Sequence, residues 1–213
     1  MDISGSIISI DAMGCSPAIA DKIISQQANY LLTLKENNGF FYEQVRDHLD
    51  RALVGYLGDD LHTEVDFGHG RLERRTCYVS DALQWIDGTA EWKGLTHVAV
   101  VEREREGNGQ ISVNRSYYLC SVAGATAQQI LEWSRNHWGI ENNLHWVLDV
   151  AFGEDACKVT TGQGPINLAT IRKLAIRIIQ EDGQMKGSVK IKRKIAGWND
   201  EYMKSILQKV VGL

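Results

Sequence analysis
Two carboxylates sit where divalent metal ions are commonly held. Asp11 follows the short β-branched run Ser6-Ile7-Ile8-Ser9-Ile10 and precedes Ala12-Met13-Gly14, so it stands where a buried strand ends in a turn. A carboxylate at the carboxyl end of a parallel strand lies where open α/β sheets place their ligands, although Asp is equally a turn residue. Glu141 belongs to a second pattern. His137, Glu141, His145 and Asp149 recur at steps of four, and on a helix they form one slowly rotating polar stripe. Beside it run Trp133, Ile140, Leu144, Val147 and Ala151, an apolar stripe suited to a core. Such a helix can present acids and imidazoles to a cleft, or carry i,i+4 pairs on a surface; spacing alone leaves both open. One carboxylate from a strand end and one from a helix suit Mg²⁺ or Mn²⁺, hard ions that prefer oxygen ligands. The imidazoles make zinc the competing metal. No H-x-x-x-H or H-E-x-x-H pattern supports it, and His137 and His145 are eight residues apart, too far to chelate one zinc from a straight helix.

The elements that must position these residues can be read from the same pattern. Ser16-Pro17 opens a helix that runs to about Gln27, since Ser is a good N-cap and Pro suits the first turn. Tyr30 to Leu34 reads as a second strand and Phe40 to Leu53 as a second helix, which makes a parallel α/β unit. After about Val54 the character changes. Thr63–Phe67, Leu72–Val79, His97–Arg103 and Ser112–Cys120 read as strands, with Gly107-Asn108-Gly109 marking a hairpin. From Thr126 the chain is helical: one long helix over about Ala127–Val150, another over Asn167–Gln180 and a last over Asp200–Val211.

The 213 residues form one large domain or two small ones. No run approaches a membrane span, and the first residues lack the basic and apolar regions of a secretory leader. Cys15, Cys77, Cys120 and Cys157 form no C-x-x-C pair, so they read as reduced thiols of a cytoplasmic protein, with Cys15 and Cys157 buried and inert. The six Trp could stack nucleic-acid bases but read mostly as core. The net charge of −4 discourages a nucleic-acid partner at first sight. It conceals an asymmetry: Ile171–Leu213 carries 10 Lys or Arg against 4 Asp or Glu, a net of +6, which leaves −10 on the rest. The basic cluster Lys186, Lys190, Lys192, Arg193 and Lys194 could follow a phosphate backbone or form a solvated helix face. His69-Gly70-Arg71 and Arg74-Arg75 could likewise touch phosphates or merely alternate on a half-buried strand.

Several blocks together resemble the bacterial DDE transposases of the ISAs-type insertion-sequence group, which includes the H-repeat-associated proteins. They are Ile8 to Cys15, Tyr30 to Asn37, His69 to Arg75, Arg135 to Asn142, Leu144 to Asp155, and Asn167-Leu168-Ala169 with Arg172. The resemblance covers nearly the whole chain in order, and the block from Arg135 to Asp155 is the most specific. It implies an RNase H-like fold with helices on both sides of a central sheet. It also implies an active site of Asp, Asp and Glu, holding two Mg²⁺ or Mn²⁺ ions that activate water or a DNA 3′-hydroxyl against a phosphodiester. Asp11 matches the second Asp and Glu141 the final Glu, and the strands between them match an insertion that related transposases carry. The family's Arg, four positions before the Glu, is His137 here; its Tyr is Ser134, and Arg135 is near but out of register.

The family's first Asp lies on an upstream strand, whereas only ten residues precede Asp11 here. The expectation is therefore an α/β fold: a truncated RNase H-like core (1–53), a β-rich insertion (54–125) and a helical C-terminal part that completes the catalytic domain (126–213). On this reading Asp11 and Glu141 are catalytic and metal-binding. His137, Arg135, Arg71, Lys192, Arg193 and Lys194 meet DNA, either transposon ends or target, and no membrane is involved. The chain alone is expected to be inactive, and an exposed sheet edge at Ile8 and Ile10 is expected to favour a homo-oligomer. Two alternatives stay open. One is a non-catalytic, DNA-binding or degenerate remnant. The other is an unrelated metal-dependent hydrolase that recruits Asp149, His145 or Asp155.

Overall fold
The computed structural model describes residues 2–55, 60–68, 71–107, 109–140 and 144–211. They divide into two compact units, Met1–His137 and Trp138–Leu213. The first is built on one six-stranded sheet. Its strands are β1 (Ile7–Ile10), β2 (Asn29–Leu34), β3 (Leu61–Gly68), β4 (Arg71–Ser80), β5 (His97–Gly107) and β6 (Gln110–Cys120), in the order β1-β2-β6-β5-β4-β3. β1 and β2 are parallel, with Ser9 opposite Leu31. Every other pairing is antiparallel. The strands expected to form an insertion thus continue the sheet begun by β1 and β2, because β6 pairs directly with β2.

Strand alternation sorts side chains to two cores. On one face Tyr30, Leu32, Leu34, Val98, Val100 and Leu119 pack with α1 (Pro17–Ser25) and α2 (Gly39–Gly55), through Ala20, Ile23, Val45 and Leu49. On the other face Leu31, Cys77, Val79, Ala99, Val101, Tyr118 and Cys120 pack with α3 (Ala127–Ile140), through Ala127, Ile130 and Leu131. Ser16 caps α1 by accepting from the Ile19 amide at 3.4 Å, and Pro17 occupies its first turn. The amide of Ala127, at the start of α3, donates to the Asp60 carboxylate.

The single helix expected over 127–150 is not one α-helix. α3 covers Ala127–Ile140, Leu144 and His145 adopt a π-helical turn, and α4 covers Trp146–Phe152. Gly153 then ends α4 in the left-handed region at φ 62°. α5 (Gly164–Glu181), α6 (Val189–Ala196) and α7 (Asp200–Val211) complete the second unit around Ile179, Tyr202 and Ile206. The sequence pattern does not predict α6, because its basic residues obscure a short helix capped by Ser188. No described helix is long and apolar enough to cross a membrane. The Trp residues are less buried than expected: Trp92 is in the core, whereas Trp85, Trp138, Trp146 and Trp198 are exposed.

Candidate functional site
Asp11 leaves the carboxyl end of β1 in extended backbone and begins a 3-10 turn at Ala12–Gly14. Its carboxylate is half exposed and lies 3.6 Å from the Lys35 ammonium. Lys35 follows β2, so the parallel pairing brings the two strand ends together. The next residues hold the turn itself. Asn37 donates its side-chain amide to the Ala12 carbonyl at 2.9 Å, and Asn38 donates to the Cys15 carbonyl at 3.3 Å. Gly14 packs so closely that an added Cβ would lie 2.5 Å from Ile10 Cγ2. Below the turn, Cys15 is buried, and that burial pushes its thiol pKa up to about 12.

α3 reaches the same strand. His137 Nδ1 lies 3.0 Å from the Ser9 hydroxyl, two residues before Asp11, so the end of this helix reaches the strand that carries the acid. Glu141 and Asn142 lie outside the described residues, as do His69 and Gly70. Arg71 begins β4 opposite Gly68. Asp11 suits a hard divalent ion in kind: it offers oxygen to solvent, and an exposed ammonium contact is weak enough for a divalent cation to displace. No group of three or more His, Cys, Asp or Glu able to hold a metal occurs among the described residues.

The basic residues expected to meet DNA fall in both units, Arg71, Arg135 and His137 in the first and Lys192, Arg193 and Lys194 in the second. Arg135 donates to Glu64 of β3 at 2.6 Å. Arg193 and Lys194 are exposed, with the Arg193 guanidinium stacked 5.3 Å from the Phe152 ring centroid. Lys192 departs from the expectation. It is buried, donates to the Asp182 carbonyl at 2.6 Å and lies 3.4 Å from the Asp182 carboxylate, so its charge is engaged internally. Tyr202 donates to the same carboxylate at 2.8 Å. Burial would raise the Asp182 pKa, but bonds from the Gln184 amide, Tyr202, Lys192 and the Met185 amide outweigh it and hold the carboxyl at about 2.

Cys157 also departs from expectation. It is only half-buried, and Arg172, by hydrogen bonding to the sulfur, holds its pKa below the ordinary thiol value. Sequence pattern assigns Lys35, Asn37 and Asn38 no role beyond ending the strand. Their signal was present, as a Lys and two Asn directly after a strand predicted to run parallel to β1.

A mixed α/β sheet that delivers a carboxylate at a parallel strand end now meets its class: a family model described as "Transposase DDE domain" matches residues 2–178, and the chain belongs to that family. Among its relatives it is 34% identical to "Putative transposase YncI" of Escherichia coli O157:H7, over 97% of this chain and 54% of that protein. It is 35% identical to "H repeat-associated putative transposase YhhI" of Escherichia coli (strain K12), over 97% of this chain and 56% of that protein. "Putative protein YbfL" of the same strain is 36% identical over the same shares. The chain therefore spans about half the length of the curated relatives it matches.

Proposed function
We propose that this chain is a part of a DDE transposase that acts on DNA, with an RNase H-like core in which Asp11 and Glu141 hold Mg²⁺ or Mn²⁺. The parent reaction is phosphodiester hydrolysis and strand transfer. The observation that supports it best is Asp11 at the carboxyl end of β1, within the parallel β1–β2 pair of a chain of this family. A bound divalent ion would supply Lewis-acid activation of water or of a 3′-hydroxyl. The chain's own residues would do the rest. Asn37 and Asn38 keep the Asp11 turn in place, and Lys35 balances the carboxylate until a metal displaces it. Ser9 orients the His137 ring, while Arg71, Arg135, Arg193 and Lys194 meet phosphates of transposon ends or target.

Two-metal catalysis holds its ions about 3.5–4 Å apart between shared carboxylates, and this reading assigns only two acids. The chain alone is therefore expected to bind duplex DNA and not to cut it. In fluorescence anisotropy, log affinity should fall linearly with log salt concentration. A salt-independent or absent response would end the DNA reading. Nicking by the purified chain in Mg²⁺ or Mn²⁺, lost in Asp11→Asn, would overturn the expected inactivity.

A further inference from the structure
A small cavity lies between β4, β5, β6 and α3, lined by Arg75, Arg103, Asn114, Ser116, Ser134 and Arg135 among others. Arg75 and Arg103 face each other across the β4–β5 ladder, and Arg103 faces Asn114 across β5–β6. The Nε–H groups of Arg75 and Arg103 are both buried and have no hydrogen-bond acceptor among the described residues. Arg103 Nε lies 3.1 Å from Glu73 Oε1, but its N–H is not aimed at that oxygen. The remaining contacts are ion pairs that share few carboxylates. One carboxylate, Glu73, serves Arg75 at 2.9 Å, Arg103 at 3.1 Å and Arg105 at 3.3 Å. Asp66 holds Arg75 at 2.6 Å and lies 3.7 Å from Arg135, and Glu64 holds Arg135 at 2.6 Å. Among the described residues, four guanidinium groups thus meet three carboxylates. Burial and the neighbouring charge of Arg105 push the Arg103 pKa down, against the pull of Glu73. A buried donor left without an acceptor is costly.

We propose that this cavity is an oxyanion site that takes one non-bridging oxygen of a phosphate between the Nε–H groups of Arg75 and Arg103, with Arg135 at its mouth. A phosphodiester brings the single negative charge and the acceptor lone pairs that the cluster lacks. The cavity is small and admits an oxygen rather than a whole phosphate group. This rests on the DNA reading above only for the source: a backbone phosphate of duplex DNA, or free phosphate.

The test follows the Nε–Hε NMR signals of ¹⁵N-labelled full chain as inorganic phosphate, and then a short duplex, is added at matched ionic strength. Saturable shifts of the Arg75 and Arg103 signals with both are expected. Asn114→Asp, which places a carboxylate beside Arg103, should abolish those shifts and raise the thermal midpoint in phosphate-free buffer. Shifts with phosphate but not with a duplex that anisotropy shows to be bound would keep the site and overturn the backbone as its source. If no duplex binds while phosphate still shifts the signals, the DNA reading fails and the site stands. No shift with either probe, or an Asn114→Asp response equal to wild type, overturns the site whatever the DNA result.

Discussion

Asp11 and Lys35 meet because two parallel strands end within two residues of each other in register, a fact about pairing rather than about either residue. Asp11 was legible in the sequence, since a β-branched run followed by a small-residue turn announces a strand end. Lys35 was not legible as its partner, because nothing local says how far β2 is shifted against β1. Lys192 shows the opposite failure. A run of Lys and Arg reads as a solvated face, and only the tertiary packing of Asp182 and Tyr202 reveals that one of them turns inward. Cys157 was misread for a related reason: its exposure and its Arg172 neighbour depend on how α5 packs. Thiolates, not thiols, are alkylated. Iodoacetamide at neutral pH should therefore modify Cys157 first and leave the buried Cys15, Cys77 and Cys120 slow, as peptide mass mapping can check. Arg172→Ala should slow the Cys157 reaction several-fold; an unchanged rate would remove Arg172 as the cause of its reactivity.

At the scale of elements, the strands were the most legible part. Alternating or β-branched runs predicted all six, and the glycines at 107–109 marked the hairpin that joins β5 to β6. What pattern could not show was that β6 would return to pair with β2, since antiparallel partners are chosen by long-range packing. The helix over 127–150 was predicted too simply: the apolar stripe persists through residues whose backbone changes from α to π. β1 stands at one edge of the sheet, only four residues long, with Ile7 exposed and Ile8 and Ile10 partly so. A free strand edge offers unpaired backbone groups to another chain. The purified chain is expected to self-associate through β1, and Ile8→Lys should shift it toward monomer in light scattering. A strictly monomeric wild type at high concentration would refute this.

For the whole molecule, the two units have separate cores and separate electrostatic signatures. In the second, Asp182 is depressed to about 2 from an unfolded value near 3.9. A depressed carboxyl contributes stability in full above the unfolded value and loses it as pH falls through the folded one. Urea unfolding should show a loss between pH 4 and pH 2 that is smaller in Asp182→Asn than in wild type. Equal losses would mean that Asp182 does not anchor the α5–α6–α7 packing. The asymmetry of charge was readable from composition alone, whereas the buried share of it was not: the net of +6 over 171–213 includes Lys192, which is spent inside the fold.

The β1–β2 pairing has a further consequence. The Gly5 amide bonds to the Gln27 carbonyl and the Asn29 amide to the Ser6 carbonyl, which pins the phase of the strand just before it enters the sheet. Side chains on a strand alternate, so sliding β1 by one residue would exchange Ser9 for a neighbour on the side that meets His137. In genetic terms, the codons from Ser6 to Asp11 behave as a frame within the reading frame. Many single substitutions there leave the phase intact, but gain or loss of one codon turns the later side chains of this strand to the opposite face of the sheet, so indels in this stretch should be penalised more than replacements.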